Sequence, residues 1–192
     1  MKNLALLNSI VLLASVSTTA FASNPELESH APSQAAADAL REAAGADMAF
    51  LAAGMVKPLA SVSDLSQLLV YPTDTLSVVK LSGAQIRLAL ERSVSLVPLP
   101  SSAFLQLSGL EASYSKSAPA DKRLTDISVG NSKLDGSKTY NVAMPTTLAR
   151  GGLGYFKVWS KDAITRTLDG TLESLLKGKA NRNTADRWTA SN

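Results

Sequence analysis

The spacing of apolar residues changes along the chain, and each spacing predicts an element. Residues 34–44 are rich in Ala, Leu, Arg and Glu, follow Ser33 as a cap and stop at Gly45. That pattern predicts a helix. Residues 47–53 form a short apolar run closed by Gly54, as expected of a buried strand. Residues 63–69 place Leu65, Leu68 and Leu69 on one face of a short helix. Residues 75–81 read as a strand through Leu76, Val78, Val79 and Leu81. Ser82-Gly83-Ala84-Gln85 then fits a capping box, in which Ser82 accepts from the helix start and Gln85 reaches back. Ile86, Ala89, Leu90 and Val94 follow at helical spacing and predict its buried stripe. Pro98 and Pro100 prevent its continuation.

Beyond Pro100 the pattern turns to short strands at 104–107, 110–114, 124–129 and 139–144, with Asp135-Gly136 as a turn signal. Arg150-Gly151-Gly152-Leu153-Gly154 is a glycine-rich loop, and 168–176 reads as a last helix closed by Lys177-Gly178. Helices mixed with strands, then mostly strands, predict an α/β (α+β) domain over 35–179, with mixed sheet layers flanked by helices. Residues 23–34 are polar, hold two prolines and lack any period, so a linker or flexible arm is expected there. A polar disordered tail is expected over 180–192.

The N-terminus changes the picture. Lys2, an apolar stretch over 4–16 and Ala20-Phe21-Ala22 match the three parts of a secretory signal peptide over 1–22. The expected location is therefore periplasmic or secreted, with no membrane segment after cleavage. The chain has no cysteine, so packing alone must hold the domain together. The net charge is only +3 and aromatics make up 5% of the chain, which argues against a nucleic-acid partner.

Candidate chemistry is sparse. Metal sites need His, Cys, Asp or Glu in clusters. The single histidine, His30, falls in the expected arm, where an exposed bystander is the simpler reading. Asp47, Asp64, Glu91 and Asp126 show no ligand spacing. Gln106-Leu107-Ser108-Gly109 is not a nucleophile elbow, and the glycine loop lacks the Lys-Ser/Thr of a phosphate-binding loop. The expectation is no catalytic residue, no metal and no cofactor.

Several stretches together carry a resemblance. They are Leu76-Ser77-Val78-Val79-Lys80-Leu81-Ser82-Gly83-Ala84-Gln85-Ile86 running into Ala89-Leu90-Glu91, then Phe104-Leu105-Gln106-Leu107-Ser108-Gly109-Leu110. Leu134-Asp135 with Lys138-Thr139-Tyr140, and Gly151-Gly152 with Gly154-Tyr155, complete the set. In this order they resemble the C-terminal, substrate-binding domain of periplasmic and cell-surface 5′-nucleotidases. The resemblance implies a two-domain hydrolase whose metallophosphoesterase domain holds the metals. This chain is expected to stand alone without that domain. The resemblance also implies a nucleoside site: two stacking Phe, an Asn, an Arg and an Asp. The matching positions here are Thr73 and Thr147 for the rings, Ala52 for Asn, Lys57 for Arg and Leu153 for Asp. Asp74, Arg150, Tyr155 and Phe156 are residual candidates, and Tyr71 could add aromatic surface. Threonine has no π face, Lys lacks the bidentate fork and Leu accepts no hydrogen bond. Nucleoside binding is therefore doubtful. The expectation is a non-catalytic domain with an unidentified ligand or exported protein partner. The alternative is the substrate-binding subunit of a split 5′-nucleotidase acting with a separate metallophosphoesterase.

Overall fold

The computed structural model describes residues 23–182 and 184–192. The expected signal peptide, 1–22, lies outside the described residues. The chain runs α1 (Ala31–Ala44), β1 (Met48–Ala52), β2 (Leu76–Ser82), α2 (Gly83–Ser93), β3 (Leu105–Ser108), β4 (Glu111–Ser115), β5 (Leu124–Val129), β6 (Ser132–Lys133), β7 (Thr139–Pro145), α3 (Thr146–Ala149), β8 (Ile164–Thr167), α4 (Leu172–Leu176) and β9 (Trp188–Ser191). Single 3-10 turns lie at Ala53–Met55 and Leu65–Leu68.

Two mixed sheets result. One has the order β3-β1-β7-β2-β8, with β1 and β7 parallel and the other neighbours antiparallel. The other has the order β6-β5-β4-β9, with β4 and β9 parallel. This is the expected mixed α/β class. β1 is buried along its whole length, so its continuous apolar run Met48-Ala49-Phe50-Leu51-Ala52 reads as a central strand. α1 packs on β1 and β3, and its Ala36, Ala37 and Leu40 are buried. The capping box at Ser82 and Gln85 forms as expected, and Ile86, Ala89, Leu90 and Val94 are fully buried.

Four expectations are corrected. The expected linker, 23–34, is not one. Helix α1 starts three residues earlier than the sequence pattern gives, with His30 rather than Ser33 at its N-cap position and Pro32 in the first turn. The arm before it is tied to β3 by one side chain. The Gln106 amide donates to Pro25 O (2.9 Å) and Glu28 O (2.8 Å) and accepts from His30 N (2.9 Å). The end of the expected disordered tail is ordered too, since β9 pairs with β4 from Ala112↔Trp188 to Ser115↔Ser191. The two terminal segments also meet: Ser29 Oγ accepts from the amides of Arg187 and Trp188, both at 3.0 Å. The expected helix over 168–176 is only the short α4.

His30 is the fourth correction. It is fully buried. Its Nε2 contacts Leu59 O at 3.0 Å, and a carbonyl can only accept, so Nε2 carries the proton. Nδ1 then accepts from Ser33 Oγ at 2.7 Å. Burial lowers the pKa of the ring, outweighing the opposing effect of Leu59 O. The unfolded chain therefore takes up this proton first as pH falls. Stability from His30 is complete above its ordinary value of about 6.5 and declines below it. Urea midpoints measured from pH 7.5 to 5 should fall over that window, and His30→Gln should flatten the fall. An unchanged slope in the variant would contradict the buried neutral ring.

Candidate functional site

The segment after β1, the segment before β2, helix α3 after β7 and the glycine loop meet in one place. There Gly54, Met55, Tyr71, Thr147 and Leu153 line a partly open cavity of about 290 Å³. Of the sequence-derived positions, Thr147 and Leu153 are brought together here, beside the aromatic candidate Tyr71.

The other positions lie elsewhere. Ala52 ends β1 fully buried, paired with Leu105. Lys57 is exposed, and its ammonium donates to Gln67 O at 3.2 Å. Thr73 is exposed in the turn before β2. Asp74 beside it serves the backbone, accepting from Thr75 N (2.8 Å) and Thr147 N (3.1 Å). That pair fixes the start of α3 against the start of β2. Arg150 is exposed just after α3. Phe156 is 66% exposed.

Tyr155 is corrected as a contact residue, because it is fully buried. Its hydroxyl donates to Ala103 O at 2.6 Å, and its ring stacks on Trp159 at 4.8 Å. Desolvation raises its pKa well above the ordinary phenol value.

The glycine loop owes its shape to backbone geometry. Gly151, Leu153 and Gly154 all have positive φ, at 90°, 54° and 81°. A Cβ on Gly151 would sit 2.7 Å from Phe156 Cα. Leu153 is the unusual member, since a left-handed leucine costs roughly 1–2 kcal/mol. Arg92 holds it there: the guanidinium donates to Leu153 O and lies 5.2 Å over the Tyr155 ring. A row of hydroxyls ties the start of α3 to β2 and β8. Thr75 and Ser77 each reach Thr146 at 2.7 Å, and Ser77 also reaches Thr167 at 2.8 Å. Gly54 and Met55 also line the cavity, although neither is among the positions that the sequence singles out as a site. Among the described residues, no three His, Cys, Asp or Glu side chains converge as a metal site would need. No helix among them is long and apolar enough to cross a membrane.

Residues 13–160 match the family described as 5′-nucleotidase, C-terminal domain. The chain belongs to that family. A 5′-nucleotidase-related protein of Glossina morsitans morsitans is 33% identical over 57% of this chain, which spans 22% of that relative's length. The crystal structure of a 5′-nucleotidase precursor from Thermus thermophilus superposes with a TM-score of 0.73 at 24% identity, covering 88% of this chain and 36% of that one. A sulfate thiohydrolase of the same organism shares the fold at a TM-score of 0.55 and 19% identity, over 84% of this chain and 32% of its own. The chain therefore spans well under half the length of these relatives.

Proposed function

We infer that this 5′-nucleotidase C-terminal domain is an exported, non-catalytic binding module whose nucleoside-recognition positions have been replaced. The observation that supports this most directly is the cavity where Thr147 and Leu153 meet. The resemblance implies an aromatic ring and a carboxylate at these positions, and neither is present. Base stacking on an aromatic is worth about 1–3 kcal/mol, and threonine cannot supply it. Lys57 is engaged with Gln67 O, and the Asp74 carboxylate with two backbone amides. The similarity to a protein named a sulfate thiohydrolase supports the view that the fold is not tied to nucleosides. Export rests on the signal-like residues 1–22.

A thermal-shift titration with adenosine, AMP, UMP and UDP-glucose tests the reading. A ligand that binds only the native state raises Tm. No shift is expected at millimolar nucleotide, and a clear saturable rise would overturn the reading. Such a rise would favour the second reading, a substrate-binding subunit acting with a separately encoded metallophosphoesterase. The observation behind that alternative is that the longer relatives carry most of their length outside the matched region.

A further inference from the structure

The cavity beside Tyr71 has a chemistry of its own. Met55 and Leu153 give it apolar walls, Gly54 adds backbone, and Thr147 brings a single aliphatic hydroxyl. None of the lining side chains is charged. Tyr71 is 54% exposed, and its ring enters none of the aromatic or cation–π pairs found among the described residues. It is a free stacking face at the edge of an apolar hollow.

Leu153 strengthens the point. Its backbone is held in the left-handed region by the Arg92 contact and by the glycines around it. An apolar side chain kept in a disfavoured conformation at a cavity wall is the kind of local strain that collects at ligand sites.

We propose that this cavity binds an uncharged aromatic ring with at most one or two polar atoms, of indole or phenol size, laid against Tyr71 with Met55 and Leu153 packed on it. The proposal rests on the reading that nucleoside recognition has been lost. The volume of about 290 Å³ lies at the small end for ligand cavities and suits one ring or two fused rings. A nucleobase fits the chemistry poorly. Its polar edge needs several partners, and the lining side chains offer only the Thr147 and Tyr71 hydroxyls. Buried polar atoms left without partners count against binding. A phosphate finds no cation in the lining.

Indole is the probe, followed by saturation-transfer NMR and by thermal shift. Wild-type protein, Tyr71→Phe, Tyr71→Ala and Leu153→Asp are compared, with circular dichroism melts confirming that each variant is folded. Indole should bind the wild type saturably. Tyr71→Phe should keep the affinity within about twofold, because the ring face remains. Tyr71→Ala and Leu153→Asp should each weaken binding by about tenfold or more. No binding of indole up to its solubility limit overturns the proposal, and so does an affinity that Tyr71→Ala and Leu153→Asp leave unchanged. Adenosine and AMP are run alongside. If they bind and compete with indole, the loss of nucleoside recognition is itself refuted. If neither they nor indole bind, only the ring proposal fails.

Discussion

Trp188→Ala is expected to lower the stability of the domain by about 3–5 kcal/mol, the usual range for truncating a buried large aromatic. Trp188 is 6% exposed although only four residues follow it in the chain. Its ring packs 5.2 Å from Phe104 and edge-on at 5.8 Å from Tyr114, and its indole nitrogen donates to Leu105 O at 2.7 Å. The side chain therefore joins β3 of one sheet to β4 of the other, and it carries β9 with it. Next to it Arg187 pairs with Asp38 at 2.7 Å, half-shielded from solvent, and anchors the strand to α1. Urea unfolding followed by far-ultraviolet circular dichroism measures the loss. A decrease under 1 kcal/mol would mean that the C-terminal segment does not dock as described, because a tail free in solution would leave the core intact.

Gln106→Leu is expected to cost about 3–5 kcal/mol, through orphaned polar groups rather than lost volume. Leucine nearly fills the space of glutamine. It leaves Pro25 O, Glu28 O and His30 N without their partner beneath fully buried β3. The damage should be local as well as global, since Gln106 is the link between the strand and residues 25–30. Limited proteolysis should cut the arm earlier in the variant, and urea unfolding gives the overall loss. Wild-type stability with unchanged cleavage would show that the arm is held by other contacts.

These two residues mark the boundary of what the sequence disclosed. The central elements were legible because their signals are local. The capping box at Ser82, the apolar run of β1 and the stripe through Ile86, Ala89, Leu90 and Val94 follow from spacing within a dozen residues. The segments misread as linker and tail had no such signal. Residues 24–30 are irregular, and their polar groups are met by Gln106, some 80 residues away. β9 shows one apolar side chain inward and three exposed residues after it, too short a pattern to register as a strand. Its partner β4 lies far back in the chain. His30 looked exposed for the same reason: a histidine in a polar stretch becomes buried only when Leu59 O and Ser33 satisfy it.

The candidate site divides in the same way. The sequence pointed to Thr147 and Leu153 through the order of motifs around them, and to the absence of a ring and a carboxylate there. It could not show that Asp74 is occupied by the amides of Thr75 and Thr147. Nor could it show that Tyr155 faces inward while Tyr71 stands at the cavity. Which of two nearby tyrosines is available depends on the path of the backbone between distant strands.

By itself, then, the sequence determined the mixed α/β class, the central strands and helices, and the family, because periodicity and caps are written in neighbouring residues. The tertiary structure decided where the domain ends, which polar groups are satisfied and which side chains share a cavity. Those outcomes depend on contacts between residues far apart in the chain, and no local pattern encodes them.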